Sequence, residues 1–322
     1  MASASGGLSS VRAASPGTSG PEVGDPALLE AALAELDQLI GLEHVKGLLR
    51  ELVAFATVQR WRAGAGLRAD RLVMHMVFSG NPGTGKTTVA RLVGRILRGA
   101  GLLARGHLVE VERADLVGEY IGHTAAKARE VVQKAQGGVL FVDEAYSLAR
   151  GGERDFGREA TDVLVKAMED HQGSFVLILA GYRQEMEGFL RTNPGLRSRL
   201  ANHLEFPDYG PDQLLAIADR MLGIRQYRLT SAARTRLAEV LRAPASRAAL
   251  VQGNARLVRN ALERAMRRQA ARLVRGARPG PPSAGALLDL LAVDLEGPLQ
   301  DLAAVGSRGL DLAAEWWREA LR

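Results

Sequence analysis

The sequence contains no cysteine, which excludes disulfide bonds, thiolate metal sites and cysteine nucleophiles and fits a reducing compartment such as the cytoplasm. Aromatic residues make up only 5% of the chain, few for a protein that stacks nucleic acid bases. The six histidines are scattered, and no His-Glu-x-x-His pattern of a zinc protease occurs. No apolar run reaches membrane-spanning length, so we expect no membrane span.

The chain that remains has the composition of a globular protein. Its 322 residues are 47% hydrophobic, enough for one large or two modest domains with a real core. The formal net charge of +6 indicates either an anionic partner or a compositional bias toward arginine. Because acidic residues are interspersed nearly everywhere, the pattern favours the bias.

Residues 80–87 read GNPGTGKT, the pattern of a phosphate-binding loop. Glycines allow backbone N–H groups to curl around phosphates, a lysine reaches the β- and γ-phosphates, and a threonine hydroxyl helps to hold Mg²⁺. An apolar run at 74–79 predicts a strand before the loop, and residues 88–97 predict a helix after it. The residues predicted to bind ATP are Asn81, Pro82, Gly83, Thr84, Gly85, Lys86, Thr87 and Thr88.

A second segment, GVLFVDE at residues 138–144, ends an apolar run in two carboxylates. Such a run predicts a central parallel strand that delivers Asp143 and Glu144 to the phosphate edge of a sheet. Asp143 is the predicted second Mg²⁺ ligand beside Thr87. Glu144 is the candidate general base for the water that attacks the γ-phosphate. The two segments together predict an ATPase.

Strands and helices alternate from residue 74 to residue 180, which predicts an α/β fold with a parallel sheet covered on both faces. After residue 207 every segment has helical periodicity, which predicts a small all-helical domain. The predicted organisation is a disordered tail (1–24), an α/β ATPase domain (25–207) that begins with helices at 25–62, a helical domain (208–275), and a linker with a C-terminal helical region (276–322).

Several longer stretches resemble the AAA+ ATPases, within them the group that contains stage V sporulation protein K and the red-type Rubisco activase. The resemblance spans residues 36–275, and parts of it look more like the sporulation-type members. It implies a P-loop α/β domain with a helical lid. The stretches that carry it are GHLVEVERADLVGEYIGHT (106–124), DEAYS (143–147), LAGYR (179–183), NPGLRSR (193–199) and GNAR (253–256).

The resemblance also implies roles for single residues. Arg199 matches the arginine finger that reaches a neighbouring subunit's ATP, with Arg197 as a second candidate. Arg256 matches the lid arginine that senses the γ-phosphate and contributes to hydrolysis with Lys86 and Glu144. In an arginine-rich chain the alternative for each arginine is an ordinary surface residue.

Two further matches concern apolar groups and a pore loop. Ile40 and Gly41 match the adenine contact, with ordinary core packing as the alternative. Tyr120, Ile121 and Gly122 resemble the central-pore loop with which ring-forming members grip a polypeptide, with a core tyrosine as the alternative.

One position departs from the wider family. Where many relatives place asparagine at the end of the fourth strand, residues 180–182 read AGY. The role of Tyr182 therefore stays open.

The predicted function is a ring-forming ATPase, a homo-oligomer and most simply a hexamer, that remodels a protein partner. Rubisco activation and a sporulation- or secretion-related role are both open within this class. A nucleic-acid motor is the competing class, because arginines cluster at residues 256–278. A P-loop small-molecule kinase is a third.

Overall fold

The computed structural model describes residues 24–69, 73–120, 122–150, 156–276 and 282–297. The predicted N-terminal tail, apart from Gly24, lies outside these residues, as does most of the predicted C-terminal region. Within the described ranges, no helix combines the length and apolar character needed to cross a bilayer.

Two helices precede the sheet. Helix α1 spans Pro26–Asp37, and Asp25 caps it, because its carboxylate accepts a hydrogen bond from Leu28 N–H at 3.0 Å. Helix α2 spans Glu43–Gly64. Both helices contribute to the core on one face of the sheet, with Leu36 and Leu49 buried there.

A five-stranded sheet forms the centre of the ATPase domain. Its strands are β1 (Met76–Gly80), β2 (Leu108–Val111), β3 (Val139–Val142), β4 (Val176–Gly181) and β5 (Asn202–Phe206). All neighbouring pairs are parallel, in the order β2-β3-β4-β1-β5. The predicted parallel sheet is therefore present, and the carboxyl ends of its strands meet at one edge.

Strand β5 was not predicted from the sequence. It reads NHLEF, in which buried and more exposed residues alternate, and only Leu204 and Phe206 are buried. It pairs with β1 alone at the edge of the sheet. An edge strand does not need the continuous apolar run that marks the central strands.

Helices cover both faces of this sheet, as predicted. Met76 and Phe78 pack with the helices before and after β1, whereas Val77 belongs to the core on the opposite face. The alternation follows from the two-residue period of a strand. These helices are α3 (Lys86–Gly99), α4 (Arg113–Leu116), α5 (His123–Lys134), α6 (Gly157–Asp170), α7 (Arg183–Thr192) and α8 (Pro194–Arg199), with a 3₁₀ turn at Ala145–Ala149.

The lid follows β5 and has its own core, in which Leu214, Leu237 and Leu262 are buried. It is mainly helical, as predicted, but the parallel pairing of two short strands, β6 (Arg228–Leu229) and β7 (Asp289–Leu290), was not predicted. Its elements are α9 (Pro211–Ile224), β6 (Arg228–Leu229), α10 (Ser231–Arg242), α11 (Arg247–Arg275), α12 (Ala284–Leu288) and β7 (Asp289–Leu290), with 3₁₀ turns at Pro244–Ser246 and Ala292–Leu295.

The lid extends beyond the predicted boundary at Arg275. Leu290 and Leu295 are fully buried in the lid core. The Arg272 guanidinium donates to both carboxylate oxygens of buried Asp294, at 3.0 and 2.8 Å. Residues 282–297 thus belong to the lid and not to a separate region, and a glycine- and proline-rich sequence break did not mark a domain boundary.

Candidate active site

The phosphate loop joins the end of β1 to the start of α3. Gly83 and Gly85 have φ of +73° and +99°, values that glycine adopts without a steric penalty. The Thr84 hydroxyl is buried and donates to Asn81 O at 2.8 Å, which braces the loop from within. The N-terminal end of α3, where Lys86 and Thr87 lie, therefore faces the space that the loop encloses.

Lys86 is held at the centre of this loop. Its ammonium donates to Gly80 O at 2.8 Å and to Asn81 O at 2.9 Å. Burial lowers the pKa of Lys86, and the charge of Arg256 lowers it further, whereas the carboxylates of Asp143 and Asp208 raise it. Groups from the loop, the sheet and the lid thus share one electrostatic environment.

Asp143 and Glu144 follow β3 directly, as predicted. Asp143 is half-buried, and its carboxylate accepts a hydrogen bond from Glu144 N–H at 3.0 Å. Glu144 has φ +47° and is exposed, so the chain turns sharply after the strand. Both carboxylates line the same cleft as Lys86 and Thr87.

This cleft has a volume of about 640 Å³ and lies between the sheet edge and the lid. Its polar lining includes the phosphate loop and the two carboxylates. Its apolar lining includes the predicted Ile40. The α9 residues in the apolar lining were not predicted, because helical periodicity does not distinguish a side chain that faces a ligand from one that packs in the core. The apolar lining residues are Leu39, Ile40, Leu42, Ile217, Met221 and Ile224.

The remaining predicted contacts are distributed around the cleft. Pro82, Gly83, Gly85, Thr87 and Thr88 line it. Asn81 and Thr84 instead brace the loop. Gly41, with φ +66°, packs against the lid, where an added Cβ would lie 2.7 Å from Gln213 Nε2.

Tyr182 lines the cleft beside Glu144, at the position left open by the sequence. Its ring lies 5.9 Å from that of Tyr146, which is buried behind it. Burial, with a smaller effect of Glu144, raises the pKa of Tyr146 to about 12. Gly181 makes room for this pair, because an added Cβ would lie 2.7 Å from Tyr146 Cδ1.

The lid contributes arginines to the cleft. The predicted Arg256 lines it, together with Arg220 and Arg259, which were not predicted. Arg268 and Arg272, also in the predicted basic cluster, instead hold the end of the lid: Arg268 donates to Glu296 O at 2.6 Å, and Arg272 pairs with Asp294. Part of the cluster that suggested nucleic acid is thus engaged within the lid itself.

Arg197 and Arg199 do not line the cleft of their own chain. Arg197 is exposed at the end of α8. Arg199 forms an ion pair with Glu169 and donates to Gly195 O at 2.8 Å. Neither guanidinium therefore contributes to the lining of the cleft in the chain that carries it.

Tyr120 lies on the loop between α4 and α5 and is 67% exposed. Its ring contacts His123 edge-on, with centroids 5.6 Å apart. Gly122 has φ +84° and is the N-cap of α5, whereas Ile121 lies outside the described residues. Tyr120 thus does not fill the core, which was the alternative for this residue.

Two sequence profiles match most of the chain. That of the ATPase family associated with various cellular activities (AAA) matches residues 76–208, and that of an AAA lid domain matches residues 210–304. The crystal structure of the FIGL-1 AAA domain aligns over 88% of both chains with a TM-score of 0.55 and 18% identity, and its ADP complex aligns with a TM-score of 0.52. At this identity the likeness concerns the fold.

Curated relatives are much more similar. Stage V sporulation protein K of Bacillus subtilis (strain 168) is 50% identical over 250 residues, which cover 77% of this chain and 78% of that protein. Protein CbbX of Cereibacter sphaeroides is 48% identical over 265 residues, 82% of this chain and 85% of the relative. The chloroplastic ribulose bisphosphate carboxylase/oxygenase activase of Cyanidioschyzon merolae (strain NIES-3377 / 10D) is 47% identical over 247 residues, with coverage of 76% and 84%.

Proposed function

We propose, from the premise that this chain belongs to the AAA ATPase family, that it assembles into a ring, most simply a hexamer, and couples ATP hydrolysis to the remodelling of a protein partner. ATP hydrolysis itself follows from the family and from the cleft. Ring assembly, the roles of single residues and the protein substrate are the proposal.

The polar residues that line the cleft support the following roles. The loop amides and Lys86 bind the β- and γ-phosphates. Thr87 and Asp143 offer the oxygen ligands that Mg²⁺ prefers, and the bound ion would withdraw charge from the phosphates. Glu144, exposed in the cleft behind Asp143, polarises the attacking water. Arg256 closes over the γ-phosphate from the lid.

The apolar part of the lining would contact adenine, because Ile40 and the α9 side chains offer apolar groups to the base. Base and phosphates would thus contact both domains. Binding of one nucleotide would then couple the position of the lid to that of the sheet, which is the motion a ring needs for work on a substrate.

Arg199 completes the proposed site in a neighbouring subunit. It lies outside its own cleft, and a planar guanidinium suits the charge of a phosphoryl-transfer transition state. In a head-to-tail ring, each subunit would offer Arg199 to the next and receive one in return. Arg199 would exchange its partner Glu169 for the neighbour's phosphate.

The exposure of Tyr120 carries the proposal of work on a protein. A tyrosine that is 67% exposed, on a loop that ends at Gly122, contributes little to the core. The aromatic side chain can contact an extended polypeptide without sequence specificity, and the loop would move with the nucleotide state. The occupant we propose is a protein segment, since Arg256 and Arg259 of the basic cluster line the cleft and Arg268 and Arg272 are engaged within the lid.

Tyr120→Ala tests this function. We expect the variant to fold, assemble and hydrolyse ATP, and to lose ATP-dependent unfolding of a fluorescent model protein that carries an unstructured tail. Trp61→Ala is the matched control, since Trp61 is exposed on α2, far along the chain from the loop. Undiminished unfolding by Tyr120→Ala would refute the gripping role. A loss of about 3 kcal/mol or more in the free energy of unfolding would instead show that Tyr120 packs in the core.

Two substrate classes remain distinct. One relative is a Rubisco activase by name, so Rubisco is one protein partner to test, beside a partner in sporulation or secretion. A nucleic-acid motor is the alternative. Partners trapped by Glu144→Gln in cell extract and identified by mass spectrometry would distinguish a protein substrate from a nucleic acid. We propose that the protein acts in the cytoplasm.

A further inference from the structure

The hinge between the ATPase domain and the lid contains one carboxylate that both domains share. Asp208 lies between β5 and α9. It accepts hydrogen bonds from the Asn81 side-chain amide at 2.9 and 3.1 Å, and from the Asn254 side-chain amide at 2.9 Å. Asn81 belongs to the phosphate loop and Asn254 to α11, so a single charged group ties the loop to the lid.

Asn254 has an unusual backbone conformation. It is fully buried, and its φ of +43° and ψ of −129° interrupt α11 with a kink. Such a conformation costs free energy for a residue with a Cβ and persists only when its surroundings enforce it. Here they do, because its Oδ1 accepts a hydrogen bond from Tyr209 N–H at 2.9 Å and its amide also lies 3.3 Å from Pro82 O.

The kink places Arg256 beside the phosphate loop. Ala255 N–H donates to Gly83 O at 3.2 Å, and a Cβ added at Gly83 would lie 2.8 Å from Arg256 N. The Tyr209 hydroxyl donates to Thr84 O at 3.0 Å. The second half of α11 therefore starts against the loop, and its direction is set where Asn254 bends the chain.

Asn81 connects this hinge to the catalytic lysine. Its carbonyl accepts a hydrogen bond from Lys86 at 2.9 Å, while its side chain reaches Asp208. A continuous path of hydrogen bonds thus runs from Lys86 through Asn81 and Asp208 to Asn254, two residues before Arg256.

We propose that Asp208 and Asn254 form a hinge latch whose task is to position Arg256 over the phosphate loop during ATP hydrolysis. Both are positioning residues, since they contact the loop and the hinge and not the cleft. The inference depends on the role proposed above for Arg256. It assigns a function to a buried asparagine whose backbone conformation is strained.

Asn254→Gly tests the latch, because glycine keeps the kinked backbone without strain and deletes only the side-chain amide. We expect kcat for ATP to fall about tenfold to a hundredfold, as for loss of a hydrogen bond to a charged group, and ATP affinity measured by calorimetry to change less. Asn260→Gly, half-buried in the same helix, is the matched control and should keep the rate. If Asn254→Gly does not fold, Asp208→Asn tests the latch instead. This variant preserves side-chain volume and replaces one hydrogen-bond acceptor by a donor.

The decisive reading is a double-mutant cycle with Arg256→Ala. If Asn254 acts through Arg256, adding Asn254→Gly to Arg256→Ala should lower kcat no further. If the fold-reduction in kcat of the double variant equals the product of the two single reductions, the latch is refuted. The latch is also refuted if kcat of Asn254→Gly equals that of Asn260→Gly. Normal hydrolysis by Arg256→Ala alone would overturn the role of Arg256, and the latch with it.

Discussion

Replacing Glu144 by glutamine should abolish hydrolysis and leave ATP binding intact. The change is nearly isosteric at an exposed side chain, so stability should change by less than about 0.5 kcal/mol. A general base contributes roughly 10²- to 10⁴-fold to a rate, so phosphate release should fall at least about a hundredfold. Glu130→Gln, which neutralises an exposed carboxylate on α5, is the control.

Lys86→Ala, in contrast, should weaken ATP binding. Its ammonium is partly buried within the loop, and its loss removes a charge-assisted phosphate contact of about 1.5–3 kcal/mol, which raises Kd about tenfold to 150-fold. Calorimetry with ATP and a phosphate-release assay are run on both variants. Equal loss of binding in both would refute the role of Glu144, because a base is not needed to hold the nucleotide.

Two further predictions concern packing and pH. Burial lowers the pKa of His75 to about 4, so the neutral imidazole that accepts from Leu177 N–H stabilises the fold above pH 6.5, and this contribution is lost as pH falls toward 4. Urea unfolding should show about 2 kcal/mol less pH-dependent loss between pH 7.5 and 5 in His75→Asn than in the wild type, and equal losses would contradict this. Gly181→Ala should cost about 1–3 kcal/mol and slow hydrolysis by displacing Tyr146 and hence Tyr182, whereas an unchanged melting temperature would show that the pair has room to move.

The sequence predicted the phosphate-binding half of the site because local patterns encode it. The loop needs glycines at positive φ and a lysine at a fixed spacing, and Asp143 needs only an apolar strand before it. Such features lie within a few residues of one another, so a single reading of the chain detects them.

The hinge could not be read in this way. Asn254 contacts Asp208, 46 residues away, and Pro82, 172 residues away, and no periodicity relates these positions. The lid boundary was wrong for a similar reason, since Leu290 and Leu295 return to the lid core after a glycine- and proline-rich segment. A break in the helical pattern predicts a turn or loop, but it does not predict which core the following segment packs against.

Mixing two inactive variants tests most directly whether subunits share their sites in a ring. Arg199→Ala should bind ATP but lack the finger that it offers its neighbour, and Glu144→Gln should keep the finger but lack the base. In rings assembled at random from equal amounts of the two variants, about a quarter of the interfaces would combine an intact base with an intact finger, so ATP turnover should recover to about a quarter of the wild-type rate. A verified mixed oligomer no more active than its parents, or Arg199→Ala alone turning over ATP at the wild-type rate, would contradict the shared site.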